Sequence, residues 1–374
     1  MTSRRLGVAA ALVDGSFVAG DVRLEGQVVA AVGLPPAAGG GLAAPGLVDL
    51  QVNGYAGVDF LTSDLQKWRI AERALARDGV TAYVANLITA PSDATAAALR
   101  TTAGRVADAA AGAPARTGSR CLGAHLEGPF LSPARRGTHP EQHLRLPSRE
   151  LLEPLLATGH VVGVTIAPEL PGAIEVIGWL SARGVLVALG HSDATAEVAN
   201  AGFDAGARTV THVFNAMSGL ASRAPGLAGT ALARADVAVQ AILDRRHLSA
   251  ETAAVVVAAA GRRLVLVSDA LAAAGALDGT YRLGDVKVTK VGDEVRHAGG
   301  GLAGSASPLM SCVRRAVDVG ATVEHALAAA SFRPAQLIGR TDLGRLRPGD
   351  RADVVVLDDA LTVSAAYVAG TRTE

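Results

Sequence analysis

The sequence predicts an α/β protein, a (β/α)8 TIM-like barrel with a small β-sandwich domain formed by both ends of the chain. Eight short apolar runs occupy the middle of the chain, and helical stretches lie between most of them. Buried parallel strands give such runs because both of their faces are covered. The two chain ends contain strand-like runs without long helices. The expected division is a small domain of residues 1–43 and 345–374 around a barrel of residues 44–344.

The barrel prediction depends on counting eight strand–helix units in order. The predicted strands are 46–52, 81–87, 121–126, 161–167, 185–189, 209–213, 237–243 and 264–267. The predicted helices are 64–77, 92–111, 148–157, 172–183, 194–205, 249–260, 307–320 and 322–331. An open doubly wound sheet is the alternative. No Gly-x-Gly-x-x-Gly turn opens the first helix, which disfavours a dinucleotide-binding version of that sheet.

The small domain is predicted from four strand-like runs and a linker rich in proline, glycine and alanine. The runs are 6–13, 22–32, 353–357 and 363–370, and the linker is 35–41. Arg4 and Arg5 before an apolar run resemble the start of a short signal peptide. The apolar run ends at Asp14 without a convincing small-residue cleavage site, so a first β-strand is the preferred interpretation.

Composition excludes several classes of function. The 374 residues include 35 Lys and Arg and 35 Asp and Glu, so no basic surplus points to nucleic acid. No apolar stretch is long enough and free enough of charge to span a bilayer. Two cysteines, Cys121 and Cys312, form no disulfide framework, which indicates a reducing compartment. We therefore expect a cytoplasmic enzyme without membrane or nucleic-acid partners.

Polar side chains collect where the predicted strands end, and barrel active sites lie at the carboxyl ends of the strands. The residues at these positions are Gln51, Asn53, Glu127, His191, His212, Asp244, His247 and Asp269. A carboxylate and two imidazoles from three strands can bind a divalent ion such as zinc and leave a position for water. A further carboxylate, Asp269, is placed to accept the proton of that water.

Each of these residues alone is weak evidence, because a single histidine at a strand end is more often structural. Convergence of Glu127, His191, His212 and Asp269 at one end of successive strands makes the metal-site hypothesis stronger than that alternative. His125 lies two residues before Glu127. It projects to the same side of the strand but deeper, so we expect it in the core or behind the ligands.

Several ordered motifs resemble the N-acetylglucosamine-6-phosphate deacetylase family of the amidohydrolase superfamily. They are Pro45–Gly54, His125–Phe130 with Gly137–His139, Asn215–Met217 with Arg223 and Pro225–Gly229, Ser268–Ala270 and Leu302–Ser305. The resemblance extends over most of the chain. It implies an amidohydrolase-type barrel and hydrolysis of the acetamide of N-acetylglucosamine 6-phosphate to glucosamine 6-phosphate and acetate, a step of amino sugar metabolism.

The resemblance also implies a single metal ion. Many amidohydrolases have His-x-His on the first strand and hold two metals, whereas this chain has Gln51-x-Asn53. Amides are poorer zinc ligands than imidazole. One divalent ion per subunit, bound by Glu127, His191 and His212, is therefore expected. Zinc is the first choice, with ferrous iron or another divalent metal as alternatives.

The remaining site residues are assigned by the same resemblance. Asp269 moves the proton and His139 stabilises the oxyanion. Thr138 and Leu302 contact the sugar. The 6-phosphate is held by Asn215, Ala216, Arg223 and His247. The family completes its phosphate site across a subunit interface, so a homodimer is implied.

Two other functions remain open at this stage. A deacetylase of another N-acetylhexosamine phosphate, such as N-acetylgalactosamine 6-phosphate, would show the same motifs. A non-catalytic amidohydrolase-like scaffold would be expected to have lost ligands or base, and the chain has retained them. Arg245 and Arg246 precede His247 where the family more often has smaller residues, so their charges are expected to affect anion binding.

Overall fold

Eight parallel strands form a nearly closed barrel in the computed structural model, which describes residues 3–35, 39–110 and 118–374. Each strand pairs in parallel with the next, and a parallel bridge between Val52 and Ala270 joins the two ends of the sheet. The predicted barrel is confirmed. The strands are Leu47–Val52, Val80–Ile88, Arg120–Glu127, Val161–Ile166, Leu186–Leu189, Thr209–Val210, Ala238–Ala241 and Leu264–Leu266.

Helices surround the barrel in the predicted order. They are Leu65–Arg77, Ser92–Ala110, Arg149–Ala157, Ala173–Ser181, Ala196–Asp204, Gly226–Ala233, Ala250–Ala260, Leu309–Asp318, Val323–Ala329 and Phe332–Leu337, with 3-10 turns at Pro133–Arg135, Glu141–His143 and Gly261–Arg263. Side chains of Asp64, Ser148 and Ser249 accept hydrogen bonds from the first turns of their helices, which fixes where those helices begin. Among the helices of the described residues, none has both the length and the apolar character that spanning a bilayer requires.

Two helices were not predicted, and each lacks the usual amphipathic pattern. Gly226–Ala233 consists of small and apolar residues that are almost all buried, so its sequence shows no polar face. Phe332–Leu337 contains Pro334, which normally disfavours a helix interior. Residue 111 of the second predicted helix, residues 36–38 of the linker and residues 1–2 lie outside the described part of the chain.

Strands from both chain ends share one sheet. In spatial order, its six strands are Thr371–Arg372, Val363–Val368, Val354–Leu357, Leu42–Pro45, Ala10–Val13 and Ser16–Ala19. A second sheet contains Ser3–Arg5, Asp21–Glu25 and Val28–Leu34. Val22, Leu24, Val354 and Tyr367 pack together between the sheets, as the predicted β-sandwich requires. Because the strand Leu42–Pro45 lies in the small sheet, we propose residue 45 rather than 43 as the end of this domain's first segment.

A three-stranded antiparallel sheet that the sequence analysis did not predict follows the eighth barrel strand. Its strands are Gly279–Leu283, Val286–Val291 and Glu294–His297. Leu283, Val288 and Val295 pack against Ile88 and Leu271 at the carboxyl end of the barrel. This sheet therefore forms part of the wall around the barrel mouth.

A buried ion pair fixes the first two barrel helices to each other. Arg105 Nε donates to Glu72 Oε1 at 2.9 Å, and a second guanidinium nitrogen pairs with Glu72 Oε2. Tyr83 from the second barrel strand also donates to Glu72 Oε1, at 3.2 Å. Both charged side chains are buried, so each depends on its partner to offset the loss of hydration.

Replacement of Arg105 tests this ion pair. We expect Arg105→Met to lower the free energy of unfolding by about 3–5 kcal/mol, because it removes the guanidinium that contacts the buried Glu72 carboxylate through two nitrogens. Urea unfolding followed by circular dichroism measures the change. Arg69→Met is the matched control, since Arg69 is exposed and lies 4.0 Å from Asp108. Equal effects of the two substitutions would contradict a stabilising role for the buried pair.

Candidate active site

A cavity of about 370 Å3 opens at the carboxyl ends of the barrel strands. Ten of the eleven predicted site residues line it: Glu127, Thr138, His139, His191, His212, Asn215, Ala216, His247, Asp269 and Leu302. A larger cleft of about 630 Å3 includes Pro45, Arg262 and Arg333. Pro45 and Arg262 precede the first and eighth barrel strands, so this cleft lies at the opposite end. It contains none of the predicted site residues, and we place the site at the mouth.

Three ligand atoms from three strands meet at one point of this cavity. Glu127 Oε1 lies 3.0 Å from His191 Nε2 and 3.0 Å from His212 Nε2, and the two imidazole nitrogens are 3.1 Å apart. Ligands about 2.0–2.1 Å from a tetrahedral zinc ion are separated by roughly 3.3 Å. The observed triangle therefore has nearly the size that one small cation requires.

The hydrogen bond at Nδ1 of His191 determines the tautomer of its imidazole. His191 Nδ1 lies 3.0 Å from the Arg135 carbonyl oxygen, which can only accept, so Nδ1 carries the proton. In the neutral ring Nε2 then carries no hydrogen, and its lone pair faces the Glu127 carboxylate. Two acceptors 3.0 Å apart repel unless a cation lies between them. The donor set therefore fits a bound metal ion, and the Arg135 carbonyl orients the imidazole as in other metal sites.

Protons compensate part of this repulsion when no cation is bound. Burial acts to lower the pKa of His212, but the hydrogen bond and charge of Glu127 outweigh burial and raise it. Burial acts to raise the pKa of Glu127, but hydrogen bonds from His191 and His212 bring it well below its usual value. The carboxylate is thus ionised and ready to bind a cation, and metal binding is expected to release a proton.

His139 has the opposite tautomer and so a different role. The Thr89 backbone N–H donates to His139 Nδ1 at 3.2 Å, so Nδ1 is unprotonated. Burial, followed by the charge of His191, lowers the pKa of His139 to about 3. The ring is therefore neutral with its proton on Nε2, which lies 3.7 Å from Glu127 Oε2. Glu127, His139 and His191 also place three ligand atoms within 4.8 Å of one another, but a protonated Nε2 is a hydrogen-bond donor and not a metal ligand.

Asp269 lies beside these residues and is held by a single amide. Asn53 Nδ2 donates to Asp269 Oδ1 at 2.8 Å. Burial, followed by the negative charge of Glu127, raises the pKa of Asp269 to about 7. Its environment thus suits a carboxyl group that takes up and releases a proton near neutral pH.

The predicted phosphate-binding residues are only partly brought together. Asn215, Ala216 and His247 line the cavity. His247 Nδ1 lies 2.9 Å from Asp244 Oδ2, which also accepts from Ser305 Oγ at 2.8 Å. Burial acts to raise the pKa of Asp244, but His247 lowers it to about 2. Arg223 lies outside the cavity wall with its side chain exposed.

The two unusual arginines near His247 do not enter the cavity. Arg245 pairs with Asp318, and Arg246 lies 3.3 Å from Glu294. Neither belongs to the cavity lining. Both arginines therefore pair with surface carboxylates. This geometry does not support the expected effect of their charges on anion binding.

Sequence reasoning missed several polar groups of the site. Asn86 donates to Glu127 Oε2 at 2.7 Å, Thr89 holds His139, and the Arg135 carbonyl holds His191. Asn86 lies near the carboxyl end of the second barrel strand. The search for polar side chains at strand ends, which identified the other residues, could therefore have found it. The Arg135 contact is made by backbone, which no residue pattern reveals. His125 instead lies 2.7 Å from Thr165 and is buried outside the cavity lining.

Comparison with known proteins agrees with this geometry. The Amidohydrolase family model matches residues 42–373. The N-acetylglucosamine-6-phosphate deacetylase of Homo sapiens is 38% identical over 347 residues, covering 89% of this chain and 83% of the relative. The N-acetylgalactosamine-6-phosphate deacetylase of Escherichia coli O157:H7 is 37% identical over 333 residues, covering 88% and 87%.

A solved structure extends the similarity to the whole chain. A mutant N-acetyl-D-glucosamine-6-phosphate deacetylase from Mycobacterium smegmatis, in complex with N-acetyl-D-glucosamine 6-phosphate, superimposes with a TM-score of 0.92 at 33% identity and covers 100% of both chains. The chain therefore belongs to the amidohydrolase family. Within that family it is a member of the N-acetylglucosamine-6-phosphate deacetylase group, as the sequence motifs predicted.

The ligand set can be tested by metal analysis of purified variants. We expect one equivalent of divalent metal in the unaltered protein and in His139→Gln, because the His139 Nε2 proton excludes it as a ligand. His191→Gln and His212→Gln should each lose most of the metal, as each removes one of three ligands. Mass spectrometry of the metal content measures this. Metal loss in His139→Gln with retention in His212→Gln would instead support the set of Glu127, His139 and His191.

Proposed function

We propose that this protein hydrolyses the acetamide of N-acetylglucosamine 6-phosphate to glucosamine 6-phosphate and acetate. The observation that carries this proposal is the convergence of Glu127, His191 and His212 at mutual distances of 3.0–3.1 Å beside Asp269. The relatives that bear this activity in their names cover most of this chain, and this similarity supports the choice of substrate.

The proposed chemistry divides between the cation and two side chains. A divalent ion held by Glu127, His191 and His212 would lower the pKa of a bound water and polarise the acetyl carbonyl. Asn53 occupies Asp269 Oδ1, so Oδ2 is the expected site at which Asp269 accepts the water proton before passing it to the amine nitrogen. His139 Nε2–H would donate to the oxygen that develops negative charge.

The rest of the cavity supports recognition of a phosphorylated sugar. His247 and Asn215, with the Ala216 backbone N–H, would contact the 6-phosphate, since such donors favour anions. The Asp244 carboxylate holds His247 Nδ1 at 2.9 Å and so orients the imidazole. Thr138 and Leu302, joined by a 3.4 Å hydrogen bond from Thr138 Oγ1 to the Leu302 carbonyl, would contact the sugar.

Arg223 supports the proposal of a homodimer. Its side chain is exposed outside the cavity, so within one chain it cannot contribute to the site in this conformation. We propose that it reaches the phosphate bound by a partner subunit. Zinc is the proposed metal, with ferrous iron as the alternative. The cytoplasm is the proposed compartment, consistent with the buried free thiols of Cys121 and Cys312.

Removal of the Asp269 carboxylate tests the proton transfer. Asp269→Asn should retain one equivalent of metal, because Asp269 is outside the triangle of ligands. It should lower kcat by about 10²–10⁴-fold, the usual contribution of general acid–base catalysis. Steady-state kinetics with metal analysis of the same sample measure both quantities. Near-normal kcat in a metal-loaded variant would remove Asp269 from the mechanism.

The substrate assignment is tested by acetate release from three sugars. N-acetylglucosamine 6-phosphate should have a much higher kcat/KM than its unphosphorylated form, and His247→Gln and Arg223→Gln should lower only the former. Lys287→Gln, which changes an exposed cation of the wall sheet, is the matched control. Equal rates on the phosphorylated and unphosphorylated sugars would refute the phosphate site. A higher kcat/KM on the galacto epimer would favour an N-acetylgalactosamine-6-phosphate deacetylase.

A further inference from the structure

Asn86 lies between the two carboxylates of the site without being a metal ligand or a proton carrier. Its side chain is almost completely buried at the end of the second barrel strand. Asn86 Nδ2 donates to Glu127 Oε2 at 2.7 Å and to Asn53 Oδ1 at 2.9 Å. Both hydrogens of one amide nitrogen are thus committed to two different partners of the site.

The orientation of this amide is determined by its surroundings. Both partners of Nδ2 are oxygens that act as acceptors, so the flipped amide would bring its own oxygen against a carboxylate and a carbonyl. The observed orientation leaves Asn86 Oδ1 buried without a hydrogen-bond partner among the described residues. A buried polar atom left unpaired is unfavourable. Within the described part of the chain, the structure thus keeps the two hydrogen bonds donated by Asn86 Nδ2 and leaves Asn86 Oδ1 without one.

Asn53 continues the connection to Asp269. The oxygen of Asn53 accepts from Asn86, and its nitrogen donates to Asp269 Oδ1 at 2.8 Å. A continuous series of hydrogen bonds therefore runs from Glu127 through Asn86 and Asn53 to Asp269. Asn86 reaches both of its partners through one nitrogen, and Asn53 uses its oxygen on one side and its nitrogen on the other. A shift of one carboxylate therefore changes the hydrogen bonds that hold the other.

The two ends of this series set different features of the site. At Glu127 the bond to Oε2 holds the carboxylate so that Oε1 faces His191 and His212. At Asp269 the bond from Asn53 engages Oδ1 and leaves Oδ2 for the proposed proton transfer. Resting on the proposed function, we infer that Asn86 is a positioning residue that fixes the metal-binding carboxylate and, through Asn53, the base Asp269 in one geometry.

This inference predicts different effects at two positions of the series. Asn86→Leu keeps the approximate volume and removes both donated bonds, so metal affinity should fall about 10–100-fold, as for other groups that orient metal ligands. Asn53→Leu removes the bond to Asp269 and the bond from Asn86 but leaves the Asn86 bond to Glu127, so its metal affinity should stay within about threefold of the unaltered protein. Competition with a zinc chelator measures both affinities and needs no turnover.

Kinetics at saturating zinc test the connection to the base. Asn86→Leu and Asn53→Leu should each lower kcat by about 10–100-fold with KM changed less than about threefold. The double variant should lose much less than the product of the single losses, because both changes interrupt one series. Asn86→Ser, which retains one donor hydrogen, should lie between Asn86→Leu and the unaltered protein, and it serves if Asn86→Leu folds poorly.

Val84→Ala is the matched control, since Val84 is equally buried on the same strand but packs among apolar side chains and does not line the cavity. It should lower the melting temperature without changing metal affinity or kcat. Unchanged metal affinity in Asn86→Leu, or single losses in kcat that multiply in the double variant, would overturn the inference. Absence of deacetylation in the unaltered protein would contradict the proposed function instead, and the chelator competition would still decide the role of Asn86 at Glu127.

Discussion

The close approach of three potential metal-ligand atoms is the constraint on which the rest of the site depends. Glu127 Oε1 and the Nε2 atoms of His191 and His212 converge at 3.0–3.1 Å. Such an arrangement is stable only with a cation or a shared proton between the atoms. The barrel positions these side chains at the ends of the third, fifth and sixth strands, and neighbouring polar groups orient Glu127 and His191.

Backbone conformation supplies part of that positioning. His191, His212 and Asp269 have φ values of 48°, 24° and 50°, in the left-handed region that non-glycine residues rarely adopt. Each such residue costs about 1–3 kcal/mol, which the surrounding structure must offset. These residues turn the chain sharply at the strand ends and direct their side chains into the mouth. The rigid strands and the packed core beneath them maintain this unfavourable geometry.

Hydrogen bonds to atoms outside the ligand triangle then give different roles to side chains of the same type. The Arg135 carbonyl makes His191 present a lone pair, whereas the Thr89 N–H makes His139 present a proton. In the same way, Asn86 holds the Glu127 carboxylate toward the histidines, and Asn53 holds Asp269 Oδ1 and leaves Oδ2 for the proposed proton transfer.

The sequence by itself determined the barrel and its eight strands, because buried strands have apolar runs. Since the fold places every strand end at one mouth, the strand ends indicated Glu127, His191, His212, His247 and Asp269. The family resemblance indicated the other cavity residues. It could not indicate the sheet at Gly279–His297, which packs on the barrel by contacts distant in sequence. It also could not position Arg223, which lies outside the cavity. Only the tertiary structure assigned the tautomers of His139 and His191, because a backbone carbonyl and a backbone N–H decide them. Every residue has a backbone carbonyl and every residue except proline has a backbone N–H, so only folding determines which histidine these groups contact.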